Sequence, residues 1–158
     1  MRLALRPLLG VCLVLSLGAC GGDGAGEPLL GGDVSGSYNG NEFVAINGFA
    51  TMTSGGTFAI IVGTGPIACG SESASSPPTG HNAAIAAPAF AVGSYSNVFV
   101  NMYQNVGRFE GTGSSNGTLT ITAVTDESIV GEIQYSYTNT DDELYELNGT
   151  FEVVLCAF

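Results

Sequence analysis

Few residues of this 158-residue chain have side chains suited to catalysis. His81 is the single histidine, and after residue 20 the only basic residue is Arg108. A serine–histidine–aspartate arrangement would therefore have to use His81, which lies in the Ser- and Pro-rich stretch 70–82. We interpret this stretch as a long exposed loop and His81 as a loop residue without a catalytic role.

Carboxylates are the other groups that could act on a ligand. If the last two strands pair around Asp141, then Glu132 and Glu152 share one sheet face. Their carboxylates could then lie about 5 to 10 Å apart, the spacing at which glycosidases hold an acid and a nucleophile. The neighbours Gln134 and Thr150 are polar, so we interpret both glutamates as residues of a solvated face. A carboxylate-dependent hydrolase is the remote alternative.

The acidic run 139–143, Asn-Thr-Asp-Asp-Glu, is the remaining candidate metal site, because Ca²⁺ takes carboxylate and carbonyl oxygens. The run lacks the Asp-x-Asp-x-Asp-Gly spacing of calcium loops and has the composition of a hairpin connection. Zinc needs several His or Cys ligands, which the chain does not offer. We therefore predict no catalytic residue, no metal and no cofactor, with calcium binding at 139–143 as an alternative.

Cys20 has the most specific chemical signal in the chain. It ends an apolar run over residues 8–18 that follows Arg2 and Arg6, as in a signal peptide. The sequence LGAC at residues 17–20 resembles the bacterial lipobox, in which the cysteine thiol receives a diacylglyceryl group before cleavage. Cys20 would then become the new, acylated N-terminal residue.

A retained membrane-spanning helix and an ordinary secretory signal are the alternatives to lipidation of Cys20. A spanning helix needs about 20 apolar residues, whereas 17 residues separate Arg2 from Cys20 and include a charge and a proline. Ordinary cleavage after Ala19 would place the bulky Leu17 where a small residue is preferred. We therefore predict a lipoprotein signal peptide over residues 1–19 and membrane attachment through acyl chains on Cys20.

Removal of residues 1–19 leaves a strongly acidic chain. Arg108 alone then faces 14 acidic residues, a formal charge of −13, which repels phosphate backbones and excludes nucleic acid as a partner. The glycine-rich stretch 20–37 has no periodic apolar pattern and is predicted to be a flexible tether with a reach of about 20 to 25 Å. Residues 38–158 are long enough for one domain, which we predict to be monomeric.

Residues 117–157 carry the clearest secondary-structure signal, an alternation of apolar with polar residues. Within the predicted strands, odd positions are apolar or glycine, and even positions are mainly Thr, Glu, Gln, Ser and Asn. Side chains alternate faces along a strand, so three antiparallel strands with one buried face are predicted. Pairing around Asp141 would set Gly131 opposite Phe151, whose ring would cover the glycine backbone.

Short β-type runs separated by turn residues extend this pattern to the whole domain. They predict an all-β fold, an antiparallel β-sandwich with a small up-and-down barrel as the alternative. The run 57–63 is apolar on both faces and is predicted to be a central strand, whereas 83–91, interrupted by Pro88, is predicted to be an edge segment. The Asn-Gly pairs at 116–117 and 148–149 are interpreted as turns or strand starts. Strands are predicted near 41–52, 57–63, 97–104, 117–125, 128–138 and 143–157.

Cys69 and Cys156 are the cysteines that remain once Cys12 leaves with the signal and Cys20 is lipidated. In an oxidising compartment two such thiols are expected to pair. A bridge across 87 positions would constrain the unfolded chain by about 4 to 5 kcal/mol in the loop-entropy model. Strand alternation turns Cys156 away from the buried face, so the bridge would fasten another segment over the outer side of the sheet.

Five short motifs occur in order along the mature chain. They are NG at 39–40 with Phe43, GSY at 93–95, GTLTIT at 117–122, VGEI at 130–133 and NGTF at 148–151. In this order they resemble small bacterial lipoproteins of unknown function with a β-sandwich domain. The resemblance implies that fold and an envelope location, and it supplies no catalytic or binding residue.

These observations leave two classes of function. The first is a non-enzymatic surface binding module, whose exposed sheet face and loop 70–82 meet an envelope protein or glycan. The second is a structural envelope lipoprotein without a dedicated ligand. Convergence of two or more tyrosines with a carboxylate on an exposed surface would favour binding. Because Gly21, rather than aspartate, follows the cysteine, we expect outer-membrane attachment on the periplasmic or surface face, by the sorting rule of enteric bacteria.

Overall fold

The structure is a computed structural model that describes residues 29–52, 55–70, 80–105 and 109–156. The predicted signal peptide, Cys20 and Arg108 lie outside these ranges. Every regular element within them is a β-strand, so the all-β prediction is confirmed. The described residues contain no helix long and apolar enough to cross a membrane.

Nine strands are present in the described part of the chain. Their order along the chain follows the alternation of strand and turn residues in the sequence. Their bounds are β1 Gly31–Tyr38, β2 Asn41–Val44, β3 Asn47–Met52, β4 Phe58–Gly63, β5 Gly80–Ala87, β6 Gly93–Asn105, β7 Phe109–Val124, β8 Ser128–Thr138 and β9 Leu144–Leu155.

Strands β3 to β9 form a closed barrel of seven strands. Consecutive strands pair antiparallel around it, from β3 with β4 to β8 with β9. Because an odd number of alternating strands leaves the first and last pointing the same way, the closing β3–β9 pair is parallel, at Phe49–Val154 and Ala50–Leu155. The barrel alternative therefore describes the fold, and the predicted sandwich is not confirmed, because this pair joins the two edges that a sandwich leaves apart.

Strands β1 and β2 form a hairpin beside this ring. β1 pairs antiparallel with β9 over residues 31–37, and β2 pairs with β1. Asn39 and Gly40 connect them with φ values of 47° and 72°, the left-handed backbone that favours Asn-Gly in two-residue hairpin turns. The hairpin corrects the predicted domain boundary, because residues 31–37, assigned to the tether, are part of the folded domain.

The register of the last hairpin is the one that the sequence pattern predicts. Gly131 lies opposite Phe151, and the register continues without a shift from Ser128 to Thr138. A Cβ placed on Gly131 would lie 2.7 Å from Phe151 Cζ, so the ring covers the glycine backbone as expected. The alternation in residues 117–157 therefore predicts both the strands and their pairing.

The barrel interior is filled by the inward-facing side chains of all the strands. Phe43, Phe151, Ile60 and Ile85 are among the fully buried residues of this core. Strand β4 is central, as predicted. Strand β5 is central as well, between β4 and β6, which corrects the predicted edge segment at 83–91.

A second apolar cluster lies on the outer side of β3 and β4. Phe49 and Ile61 face outward there, and Ile67, in the connection that follows β4, covers them. The predicted disulfide between Cys69 and Cys156 is present, with the two Cα atoms 5.6 Å apart. The bridge fastens the β4–β5 connection over the outer side of the sheet, as the alternation predicted.

The antiparallel topology gives the barrel two ends, which we call upper and lower. The upper end holds the β1–β2 turn at 39–40, the β8–β9 connection at 139–143 and the start of β5. The lower end holds the start of β1, the β5–β6 connection at 88–92, the β7–β8 turn at 125–127 and the end of β9.

Candidate functional site

The upper end of the barrel carries a cluster of aromatic and polar side chains from three parts of the chain. Tyr38 is the last residue of β1, and His81 and Tyr145 are the second residues of β5 and β9. The rings of Tyr38 and His81 are stacked, with centroids 4.5 Å apart and an interplanar angle of 19°. Tyr145 meets Tyr38 edge-on at 5.4 Å and 86°, so both contacts have geometries that aromatic pairs favour.

Strand parity explains why these three side chains meet. Alternate residues face the interior, so Tyr38 shares its side with buried Val34, and His81 shares its side with buried Ala83. The turn at 39–40 ends β1, and Thr64 anchors the start of β5 by accepting a hydrogen bond from the His81 backbone N–H at 3.1 Å. The barrel thus closes its upper end with aromatic rings.

The connection between β8 and β9 adds a carboxylate to this cluster. Asn139 Oδ1 accepts hydrogen bonds from the backbone N–H groups of Asp141 at 2.9 Å and Glu143 at 3.0 Å. Asn139 Nδ2 donates to Glu143 Oε2 at 2.7 Å, and the Tyr145 hydroxyl donates to the same oxygen at 2.9 Å. We call Tyr38, His81, Asn139, Glu143 and Tyr145 the upper cluster.

These hydrogen bonds shift two acid–base equilibria in opposite directions. The bond from Asn139, followed by that from Tyr145, stabilises the carboxylate and lowers the pKa of Glu143. Burial, followed by the hydrogen bond to Glu143, raises the pKa of Tyr145 to about 12. Glu143 is therefore an anion and Tyr145 a neutral donor at physiological pH.

The raised pKa of Tyr145 predicts a stability loss in alkali. The unfolded chain ionises this phenol near pH 10 and the folded chain near pH 12, so the contribution is complete below pH 10 and is lost as pH rises through that interval. We expect the unfolding free energy of Tyr145→Phe to fall less steeply than that of the wild type between pH 10 and pH 12. At pH 9, the unfolding free energy of the same variant should be only about 0.5 to 1.5 kcal/mol below that of the wild type, because one hydrogen bond is missing. Urea titrations of both proteins measure these quantities, and identical pH slopes would contradict the prediction.

His81 lies in a different setting from the one predicted. It belongs to β5 and packs on Tyr38, which corrects its assignment to a long exposed loop. Residues 71–79 of that predicted loop lie outside the described ranges. No serine hydroxyl among the described residues is hydrogen bonded to the His81 ring. The segment 113–117 has Gly-x-Ser-x-Gly spacing, but it lies inside β7 and not at a strand-to-helix turn.

The carboxylates of Glu132 and Glu152 lie on the outer wall of the barrel. Glu132 is opposite Thr150, and the two glutamates share a face of β8 and β9 as the register predicted. Glu132 Oε1 accepts a hydrogen bond from Gln134 at 2.8 Å, and Glu152 Oε1 accepts one from Ser128 at 3.3 Å. Each carboxylate has a neutral polar partner, the setting expected of a solvated face.

Two side-chain oxygen atoms of the acidic connection 139–143 are held in hydrogen bonds within the protein. Asn139 Oδ1 and Glu143 Oε2 each accept two of them. Across the described residues, no group of three or more His, Cys, Asp or Glu side chains is arranged to hold a metal ion. The connection therefore serves to place Glu143 against Tyr145.

The six tyrosines are not dispersed evenly over the barrel. Tyr103, Tyr135 and Tyr145 are buried. Tyr38 and Tyr145 converge with Glu143 at the upper end, whereas Tyr95 lies at the lower end and donates its hydroxyl to the Ala91 carbonyl at 2.9 Å. Because Tyr145 is 5% exposed and Tyr38 is half-buried, their convergence with Glu143 meets the criterion of an exposed binding surface only in part.

Sequence reasoning missed most of the upper cluster. The sequence indicates a loop residue without a catalytic role at position 81, and it suggests Glu143 only as a calcium ligand. The signal that points to the arrangement is Asn139, because an asparagine that begins a short connection commonly bonds to backbone N–H groups further along the chain. Such a loop fixes the side chain that follows it, here Glu143.

The fold and the cluster together define a small, acidic, disulfide-bonded β-barrel protein. Comparison of the chain with protein families, curated proteins and solved structures finds no match.

Proposed function

We propose that this chain is a lipid-anchored protein of the bacterial cell envelope, and that its barrel is a non-enzymatic binding module. The observation that carries the binding role is the convergence of Tyr38, Tyr145 and Glu143 at one end of the barrel. Aromatic faces with an adjacent hydrogen-bonding carboxylate suit a sugar ring or a polar peptide.

The anchoring part of the proposal rests on the lipobox-like sequence at residues 17–20 and on the cationic, apolar run before it. Acylation of Cys20 would hold the protein on the outer membrane without any help from the barrel. The envelope is also a compartment that permits the Cys69–Cys156 bridge.

The upper cluster differs from a catalytic site in its chemistry. Glu143 accepts two hydrogen bonds and is held as an anion, which suits recognition of donor groups on a ligand better than proton donation. The His81 ring stacks on Tyr38 instead of meeting an acid. A ligand at this end would contact aromatic faces and hydrogen-bonding groups, without a nucleophile among them.

Binding is tested by glycan-array screening and pull-down from envelope extracts, with the wild-type protein and a Tyr38→Ala variant. We expect Tyr38→Ala to weaken capture of the ligand by about tenfold or more, because it removes the aromatic face of the cluster. Phe99→Ala is the matched control, since Phe99 is an exposed aromatic residue on the outer wall. Equal loss in both variants, or no ligand for the wild type, would favour the structural class.

A further inference from the structure

The lower end of the barrel exposes apolar side chains, whereas the upper end carries the polar groups of the upper cluster. The terminal inward-facing residues there include Met52 and Val124, which are 41% and 36% exposed. Phe58 and Phe90 pack on each other with centroids 4.7 Å apart and are only partly buried. The apolar core of the barrel therefore continues to the surface at this end.

Two further exposed apolar residues extend this surface. Leu30, just before β1, is 53% exposed, and Val92, just before β6, is 67% exposed. Of the eight large exposed hydrophobic residues in the described part of the chain, Leu30, Met52, Val92 and Val124 are assigned to this end, and Ile46, whose carbonyl accepts a hydrogen bond from the Leu29 N–H, lies beside Leu30. Grouped apolar exposure of this kind marks a surface that contacts lipid or protein. We call Leu30, Met52, Phe58, Phe90, Val92 and Val124 the lower face.

The chain enters the fold at the lower face. The Leu30 N–H donates to the Glu152 carbonyl at 2.8 Å, and the Leu29 N–H donates to the Ile46 carbonyl at 3.3 Å. Leu29 lies nine positions after Cys20. A chain of that length spans at most about 30 Å when fully extended.

This length favours contact of one end of the barrel with the membrane. The 12 residues of β9, tilted as barrel strands are, make the barrel about 30 Å long. For the upper end to touch lipid, the chain before Leu29 would have to return along β9 from the level of Glu152 to that of Leu144, which takes about 20 Å of its maximum reach. The lower face reaches the lipid surface with no such requirement.

The distribution of acidic residues over the two ends of the barrel supports the same orientation. The upper end carries Asp141, Asp142 and Glu143 in three consecutive positions, with Glu146 close by. The lower end has Asp126 and Glu127 in its β7–β8 turn, with Asp33 and Glu152 close by. Anionic head groups therefore repel both ends, and the three consecutive carboxylates at 141–143 concentrate this repulsion at the upper end.

We propose that the lower face rests on the lipid bilayer beside the acylated Cys20 and that the upper cluster points away from the membrane. This inference depends on the anchor of the proposed function. It assigns the six apolar residues of the lower face to contact with acyl chains and head groups, and it leaves Tyr38 and Glu143 accessible to partners in the surrounding medium.

The test uses tryptophan as a positional probe, because the chain contains none. Val92→Trp places one at the lower face, and Thr140→Trp places one in the exposed upper connection. Each acylated full-length protein is reconstituted into phosphatidylcholine vesicles that carry bromine near the carbonyl end of the acyl chains. Mass spectrometry first establishes the acyl chains on Cys20, and circular dichroism compares both variants with the wild type.

We expect the Val92→Trp emission to lose about half or more of its intensity to the bromine, because an interfacial side chain lies about 5 to 10 Å deep. The Thr140→Trp emission should be nearly unchanged. Adding Met52→Asp to Val92→Trp should restore most of the intensity, because it places a charge in the lower face.

Three results would overturn the inference in distinguishable ways. Acyl chains on Cys20 with equal quenching of both probes would contradict the orientation and leave the anchor in place. A Val92→Trp probe shielded from aqueous iodide but not quenched by bromine would show that a protein or a second copy covers the lower face. Absence of acyl chains would remove the anchor and the orientation together.

Discussion

Replacing Cys69 and Cys156 together by alanine lowers the unfolding free energy by about 2 to 5 kcal/mol in the expected result. The bridge closes a loop of 87 positions, so its removal releases a large amount of chain entropy in the unfolded state. Cys156 is 5% exposed and belongs to the outer apolar cluster, so the substitution also removes packing around Ile67. Urea denaturation of the oxidised wild type and the double variant measures the loss.

The reduced wild-type protein is the matched control for this prediction, because it keeps both side chains and lacks only the covalent link. We expect it to be destabilised nearly as much as the double variant. If both are as stable as the oxidised protein, the bridge contributes nothing and the prediction is wrong.

Gly149→Ala is expected to cost about 2 to 5 kcal/mol, from backbone strain combined with a steric clash. Gly149 has φ of +134°, and a Cβ there would overlap the Asp33 carbonyl oxygen of the paired strand β1. The variant must move β1 away from β9 or strain the backbone. Hydrogen exchange should show lost protection in β1, while the β7–β8 pairing keeps its protection.

Gly93→Ala is the control for that experiment. Gly93 also lies in a strand, but a Cβ there would meet only the Tyr95 ring and hydroxyl at 3.4 to 3.8 Å, an ordinary contact. We expect its stability to stay within about 0.5 kcal/mol of the wild type. Equal stability of the two variants would show that β1 does not need the close approach at Gly149.

The last three strands could be predicted from sequence because each has one buried and one solvated face. Alternation then determines which residues are paired, and a single turn position at Asp141 sets the register of β8 and β9. The bridge between Cys69 and Cys156 could be predicted from the cysteine count and the expectation of an oxidising compartment. These features depend on local pattern or on simple chemistry.

Strand β1 escaped prediction because its glycines have a packing role that composition does not reveal. The segment 31–37 has the composition of a tether, yet a Cβ on Gly36 would overlap the Glu146 carbonyl oxygen of β9. The glycines are present because the two backbones approach closely. Similarly, the Asn-Gly pair at 148–149 suggested a turn or a strand start but lies inside β9, where its glycine provides the same close approach.

Strand β5 and the upper cluster escaped prediction for a different reason. The alanines of β5 have low strand propensity, and Pro88 suggested an edge, but β5 fits between β4 and β6 with small side chains on both faces. The cluster joins residues 38, 81 and 145. The pairing of β1 with β9 sets Tyr38 beside Tyr145, and closure of the ring through the pairing of β3 with β9 brings residue 81 to them.

The odd strand number has a mechanical consequence for this barrel. Its parallel closing pair has only two residue pairs, the shortest contact between any neighbouring strands of the ring. Cys156 follows β9 directly, and its N–H donates to the Ala50 carbonyl at 2.8 Å, so the bridge to Cys69 spans this seam. The barrel would open most easily by separation of β3 from β9, and the disulfide opposes that separation.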